Sequence, residues 1–454
     1  MMRASAAAER AGYPTASLVC DGFLGQAAAT ASGLGVPGMA TARLIGHVDS
    51  QDLTTLSNNV LGATVDDIVS CLTNASNGDN GNADLHPGDI AFSGDYDAVL
   101  AHFEANRWSD GLPIVPPTAE RVAQFVAMVD QDQFEVLGVM KSSGRAVTTH
   151  NVAVNGVMAG CKAEHMPVLV AIARVLTDPA YGSEHSGDTT SGEAQIIISG
   201  PVVEQLGFNT AVGVLREGNA PNTSIGRFLR LLMRNVACFL PGDADKATFG
   251  HATRVVLAED AAAMRELGWP GYAQDQGFGA DDSIVTLARF TGDTVIGSIY
   301  GNDANEICKY LADGLARQGG WELAFTAGFA PGTSRPLVII SPLVANTLAK
   351  GGFDKARVRD ALFEYARIPA HQFERCIGLW SNLVRGRRTL NELVASGEAA
   401  PVFAESDDPD RLVPVVAAPE HIQIVVAGDP RRSNAMAHGS NGMHGMLTSR
   451  LIRH

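Results

Sequence analysis

Residues 195–209, QIIISGPVVEQLGFN, and 337–353, LVIISPLVANTLAKGGF, decide the fold class. Each reads as an apolar strand, a turn containing proline, and a short helix ending at glycine. The shared pattern also raises the question of an internal duplication. AQIIISGP (194–201), VIISP (338–342) and IQIVVAG (422–428) are continuous apolar runs closed by Gly or Pro. Strands covered on both faces have this composition, because neither face meets water. Helices are expected at 118–129, 151–160, 165–177, 223–236, 302–318 and 354–367, between and around these strands. The expectation is an α/β fold with mixed sheets.

Nearer the N-terminus, residues 13–20 (YPTASLVC) read as a buried strand, 23–33 as an Ala-rich helix and ATARLIGHV (40–48) as a second strand. This strand–helix–strand unit is truncated relative to a flavodoxin- or Rossmann-like domain. Residues 74–91, NASNGDNGNADLHPGDIA, are dense in Asn, Gly and Asp and read as an exposed linker. The expected organisation is a partial α/β unit at 1–73, a linker at 74–94 and a larger domain at 95–454 that carries the site.

With 454 residues, the chain is long enough for two or three cores. Hydrophobic residues form 46% and charged residues 18%, which argues against disorder. The formal charge of -15 makes nucleic acid and anionic membrane unsuitable partners. No apolar run is long enough to span a bilayer, and the first twenty residues lack the apolar block and cleavage site of a signal peptide. Cys20, Cys71, Cys161, Cys238, Cys308 and Cys376 lie far apart with no CxxC pair, which fits reduced thiols. A soluble cytoplasmic protein is expected.

The richest chemistry lies in HNVAVNGVMAGCKAEHMP (150–167). Cys161 follows a helix broken at Gly160, and Glu164 and His165 open the next helix. A thiol near a helix N-terminus, with Lys162 and His165 beside it, can have its pKa lowered, although Glu164 works against this. Cysteine is also a common inert packing residue. Two ligands, Cys161 and His165, are too few for a metal, and no HExxH or paired CxxC supplies the rest. No metal and no cofactor are therefore expected.

A second candidate is REGNAPNTSIGRFLRLLMRN (216–235). Asn222 or Thr223 is suited to cap a helix whose free N–H groups face the Gly218–Pro221 loop, and such ends attract carboxylates and phosphates. Arg227 and Arg230 share a face of that helix and could clamp an anion. A capped surface helix with solvated arginines has the same sequence. GDTTSGE (187–193), with Thr189 and Thr190, is a polar loop feeding a strand, where substrate contacts often lie. RWSDGLPIVPPTAERV (107–122) offers a rigid entry to a helix capped by Thr118. The tail AGDPRRSNAMAHGSNGMHG (427–445) reads as a Gly-rich loop without a GxGxxG or GxxxxGK[ST] pattern, which disfavours dinucleotide or P-loop binding. Its His438 and His444 are as well placed for solvent as for function. The absence of GxSxG disfavours a serine hydrolase of that type.

WSDGLPIVPPT (108–118), NGVMAGCKAEHMP (155–167), GFNTAVGVLREGNAPNTSIGR (207–227) and HIQIVVAGD (421–429) together resemble the family named for its U-G-S-C motif, over nearly the whole chain. The resemblance implies a short N-terminal α/β domain that presents selenocysteine or cysteine just before a segment like residues 9–23, ERAGYPTASLVCDGF. This chain contains no CGSC, and Val344 stands where the pattern implies histidine. The expectation is that the motif lies upstream of Met1, sits on a partner chain, or has been lost. The resemblance retains Asn155, Cys161, Asn222 and Arg227.

Three functional classes follow. The first is a thiol-dependent enzyme, oxidoreductase or carbon–heteroatom lyase, acting on a small carboxylate-bearing substrate. In it Cys161 is the nucleophile, His165 or Glu164 the acid/base, and Asn155, Asn222, Arg227, Arg230, Thr189 and Thr190 the binding residues. The second is a cysteine-independent hydratase or hydrolase. The third is a non-catalytic subunit that binds a motif-bearing partner. A half-domain leaves an open sheet edge, so a homo-oligomer or a second subunit is expected.

Overall fold

The computed structural model describes residues 2–33, 36, 38–74, 88–190, 192–250, 255–442 and 445–453. They form two compact units: Met1–Gly160, Ser183–Ser191 and Phe228–Thr248 in the first, and Cys161–Gly182, Gly192–Arg227 and Phe249–His454 in the second. Compactness groups residues 95–160 with the N-terminal unit, where the sequence suggests the larger domain. Most of the expected linker, 75–87, lies outside the described residues.

In the first unit, β1 (Ser17–Cys20) and β2 (Thr41–Leu44) pair in parallel, Ser17 opposite Thr41 and Cys20 opposite Leu44. The helix Leu24–Gly33 connects them, as the Ala-rich segment suggested. The core beneath is made of small side chains, with Ala6, Ala31 and Met39 forming one cluster. A helical run follows from Leu53 to Thr73, started by the Asp52 carboxylate accepting from Thr54 and Thr55 N–H and widened to a π turn over Val60–Thr64. Further along, β3 (Val136–Val139) and β4 (Ala146–Thr148) form a hairpin. The helix Thr149–Met158 is fixed by a capping box between Thr148 and Asn151.

The second unit is built on one seven-stranded mixed sheet. β5 (Glu193–Ser199) pairs in parallel with β6 (Leu257–Ala258) on one side and antiparallel with β7 (Ile284–Ile296) on the other. β8 (Leu337–Ile340) lies in the same sheet, while β9 (Arg367–Pro369) and β10 (Leu412–Pro414) form a separate pair. β11 (Gln423–Val426) runs parallel to β8, and β12 (Ala435–Ser440) fills the place between β8 and β7. β13 (Thr448–Leu451) takes the remaining length of the β7 edge. With helices around this sheet, the fold is α/β. Both segments that open the sequence reading take the strand–proline–helix form, β5 with Val202–Gln205 and β8 with Pro342–Lys350.

The strand pattern of the sequence missed β3, β4, β6, β7, β9, β10, β12 and β13, of which β7 and β12 lie inside the large sheet. β7 carries Arg289, Gly292 and Asp293 within its thirteen residues, so its text reads as a strand broken by a turn. Arg289 is nevertheless buried, its guanidinium donating to the carbonyls of Tyr181 and Gly182. β12 corrects the reading of residues 427–445 as a loop. Pairing on both edges imposes extended backbone on AMAHGS despite its weak strand composition. His438 is buried against the Phe290 ring, not solvated, and His444 lies outside the described residues.

Charges are also buried inside the second unit. Lys355, wholly buried, places its Nζ 2.6 Å from Asp275 and 3.4 Å from Glu259. Arg359 joins Asp275 at 2.6 Å. The second Glu259 oxygen accepts from the Ser199 hydroxyl at 2.6 Å and from the Tyr272 N–H at 2.7 Å. Removing one member leaves the others charged without water, which costs far more than the intact cluster contributes. Lys355→Met is expected to lower the unfolding free energy by about 3–5 kcal/mol, read as a lower urea midpoint at unchanged slope. A loss below about 1 kcal/mol would show that the cluster is hydrated.

Candidate functional site

Gly160, at φ +80°, ends the helix Thr149–Met158 in a left-handed conformation that a side chain rarely adopts. Cys161 follows, then a tight turn at Ala163–His165 and the helix Met166–Leu176 with Pro167 in its first turn. The Cys161 thiol faces the hydroxyl of Ser224 and the guanidinium of Arg227. Both pull its pKa down, but burial outweighs them and pushes the thiol up to about 12. This corrects the expected thiolate. The turn Ala163–His165 stands between sulfur and the helix end, and desolvation penalises the anion more than one cation and one hydroxyl relieve it.

The expected acid/base partners are arranged otherwise. His165 is buried, and its Nδ1 accepts from the Lys162 N–H at 3.3 Å, which leaves Nε2 to carry the proton of the neutral ring. Burial lowers its pKa to about 4, against a smaller upward pull from Glu164. Glu164 is exposed and reaches the Lys162 ammonium at 3.4 Å. Neither residue hydrogen-bonds the thiol.

Ser224 and Arg227 stand three apart on the helix Ala220–Asn235 and so present one face to Cys161. Ser224 went unnoticed in the sequence, although this spacing was its signal. Its hydroxyl is held by the Ala220 carbonyl at 2.7 Å. Asn222 is wholly buried, and its amide is committed to backbone: it accepts from Asn209 N–H and donates to the carbonyls of Asn209 and Val256. Asn219, not Asn222, receives an N–H at the start of this helix, from Asn222 at 3.4 Å. Arg230 lies one turn beyond Arg227, and both arginines are partnered within the protein.

The remaining candidates belong to the first unit. Asn155 is buried, donating to the Asn151 carbonyl and accepting from the Asn235 amide at 2.8 Å each, a tie between helices. Thr189 and Thr190 are exposed; the Thr189 carbonyl takes both the N–H and hydroxyl of Thr248, and the Thr190 hydroxyl donates to Asp188. The structure therefore gathers Cys161, Ser224 and Arg227. It uses Asn155 and Asn222 as internal ties.

The first unit also contains a cavity of about 60 Å³, lined by Gln26, Thr30, Ser142, Glu184, Cys238 and Phe239. Its walls come from segments far apart in sequence, which hid it from sequence reading. Burial raises the Cys238 thiol as well, with Arg145 acting in the opposite direction. Among the described residues, no three His, Cys, Asp or Glu side chains are grouped so as to hold a metal ion. No described helix is long and apolar enough to cross a membrane.

The buried neutral ring of His165 has a consequence for stability. Between its ordinary value of 6.5 and about 4, the unfolded imidazole binds a proton that the folded one refuses. Stability is therefore fully present above pH 6.5 and falls as pH drops through this window. His421, also lowered to about 4, adds a loss of the same sign. Each histidine contributes at most roughly 1.4 kcal/mol per pH unit. Urea titrations from pH 7 to 4 are expected to show this fall, and His165→Gln to make it shallower. An unchanged slope in the variant would mean that His165 is hydrated.

No curated protein and no solved structure matches the chain. One family model does, over the segment that contains β1, the helix Leu24–Gly33, β2 and the helical run to Thr73. That model is of the UGSC family, and it matches residues 1–74.

Proposed function

We propose that this protein is a thiol-dependent enzyme acting on a small carboxylate-bearing substrate, with Cys161 as its reacting group. One observation supports this reading above the others: the half-buried Cys161 thiol is set against the Ser224 hydroxyl and the Arg227 guanidinium. Arg227 has a partner inside the protein, and its guanidinium carries five N–H donors. A carboxylate drawn to Arg227 is brought beside sulfur.

The protonated resting thiol favours lyase over redox chemistry within this class. A thiol held up to about 12 is a weak nucleophile and a poor reductant at neutral pH, but it can serve as a proton donor. When a carbon–heteroatom bond breaks by elimination, the adjacent C–H bond gives its electron pair to the new double bond and its proton to water. The heteroatom leaves with its own pair and takes the Cys161 proton. The charge left on sulfur then falls between Ser224 and Arg227. The thiol is restored by a proton from water.

Two alkylating reagents of equal size test this without a known substrate. Iodoacetate carries a carboxylate and iodoacetamide does not; with either, sulfur displaces iodide. Peptide mass spectrometry at pH 9 is expected to find Cys161 alkylated faster by iodoacetate, the reverse of the order for a simple thiol. Arg227→Gln is expected to remove the preference while leaving the melting temperature within a few degrees. Faster reaction with iodoacetamide, or no labelling of Cys161 before unfolding, would overturn the proposal.

A further inference from the structure

The UGSC segment carries an apolar helix face turned to solvent. In the helix Val65–Thr73, Val65, Ile68, Val69 and Leu72 stand at i, i+3, i+4 and i+7, the spacing of a face that packs. Yet Val69 is 54% and Leu72 46% exposed, and Leu61 in the preceding turn is 72% exposed. The residues buried from this run are Thr64 and Cys71. The helix Val65–Thr73 carries Asp66 and Asp67 and no Lys, Arg or His, so acidic groups border this apolar face, Asp67 accepting from the Arg43 N–H. Asp66 is exposed and has no ion pair or hydrogen bond among the described residues.

A second surface has the complementary composition. The helix Ala370–Gly378 ends in Leu379, 51% exposed, and Trp380, 65% exposed. Arg385 and Arg387 follow in a short turn, both exposed and both without a partner among the described residues. Residues 379–388, LWSNLVRGRR, contain no carboxylate. An exposed tryptophan flanked by unpaired arginines is the composition of an interface anchor, not of an ordinary solvated turn.

We infer that the Leu379–Arg387 surface of one copy of this chain docks on the Leu61–Leu72 helix face of another. Apolar side chains meet apolar side chains, and two free guanidinium groups meet an acidic rim. The same helix face paired with itself would bring Asp66 and Asp67 against their own copies, which Coulomb repulsion disfavours. Segment 75–87 is no better as a cover, since it carries Asp79 and Asp84 and a single large apolar residue, Leu85. The contact joins two different surfaces and is heterologous. It engages few side chains, which places it at the small end of interface sizes, with a dissociation constant on the order of micromolar.

Sedimentation velocity of the full chain from about 1 to 100 µM brackets that affinity. Wild type is expected to associate with rising concentration, and less so in high salt. Val69→Asp and Trp380→Asp are each expected to weaken association about tenfold or more. An equimolar mixture of the two is expected to regain it, because one variant keeps the helix face and the other keeps the tryptophan. Should either variant melt early, Asp66→Lys and Arg387→Glu provide the same mixing test at exposed charges. Three results would overturn the inference: a monomeric wild type, a loss confined to Val69→Asp, or a mixture that stays monomeric.

Discussion

A buried ammonium holds the second unit together. Lys355 has no water to solvate it, so its charge requires Asp275 and Glu259, and these in turn require Arg359, Ser199 and the Tyr272 N–H. Ser199 ends β5 and Glu259 follows β6, whereas Lys355 opens a helix almost a hundred residues later. Each of these elements is fixed where the cluster is complete. The register of β5 on β6 and β7 is therefore specified by charge as well as by apolar burial. A shift of one residue would turn Ser199 away and leave carboxylates buried without donors.

Desolvation also governs the site around Cys161. Sulfur near a helix start, with cations nearby, suggests a thiolate when only neighbours in sequence are counted. The fold instead half-buries Cys161, and burial favours the neutral thiol despite Ser224 and Arg227. His165 illustrates the same balance, since burial favours its neutral ring over the pull of Glu164. Two groups that titrate near neutrality in water are thus both uncharged in the resting protein. A charged substrate would be the event that changes this balance.

The two units use apolar residues differently. The strands β5, β8 and β11 are buried along almost their whole length. The UGSC segment instead packs alanines with Val19, Met39 and Leu44 around short parallel strands and leaves Leu53, Leu61, Val69 and Leu72 exposed. Two paired strands bury little surface by themselves, and such a unit gains stability from what it packs against.

Sequence by itself determined the pieces that depend on near neighbours. The apolar runs became β5, β8 and β11, the helices fell within a few residues of their expected spans, and Thr118 caps its helix. Gly160 breaks the helix before Cys161, and the three-residue spacing of Ser224 and Arg227 sets them on one face. All of this follows from backbone preference and helical or strand periodicity, which act over a few residues. Tertiary structure alone decided that AMAHGS is a central strand, that Lys355 meets Glu259 and Asp275, and that Asn222 ties backbone instead of greeting a ligand. It also decided the protonation of Cys161 and His165. Those outcomes depend on which distant segments exclude water from a group, and no local pattern of residues encodes that distance.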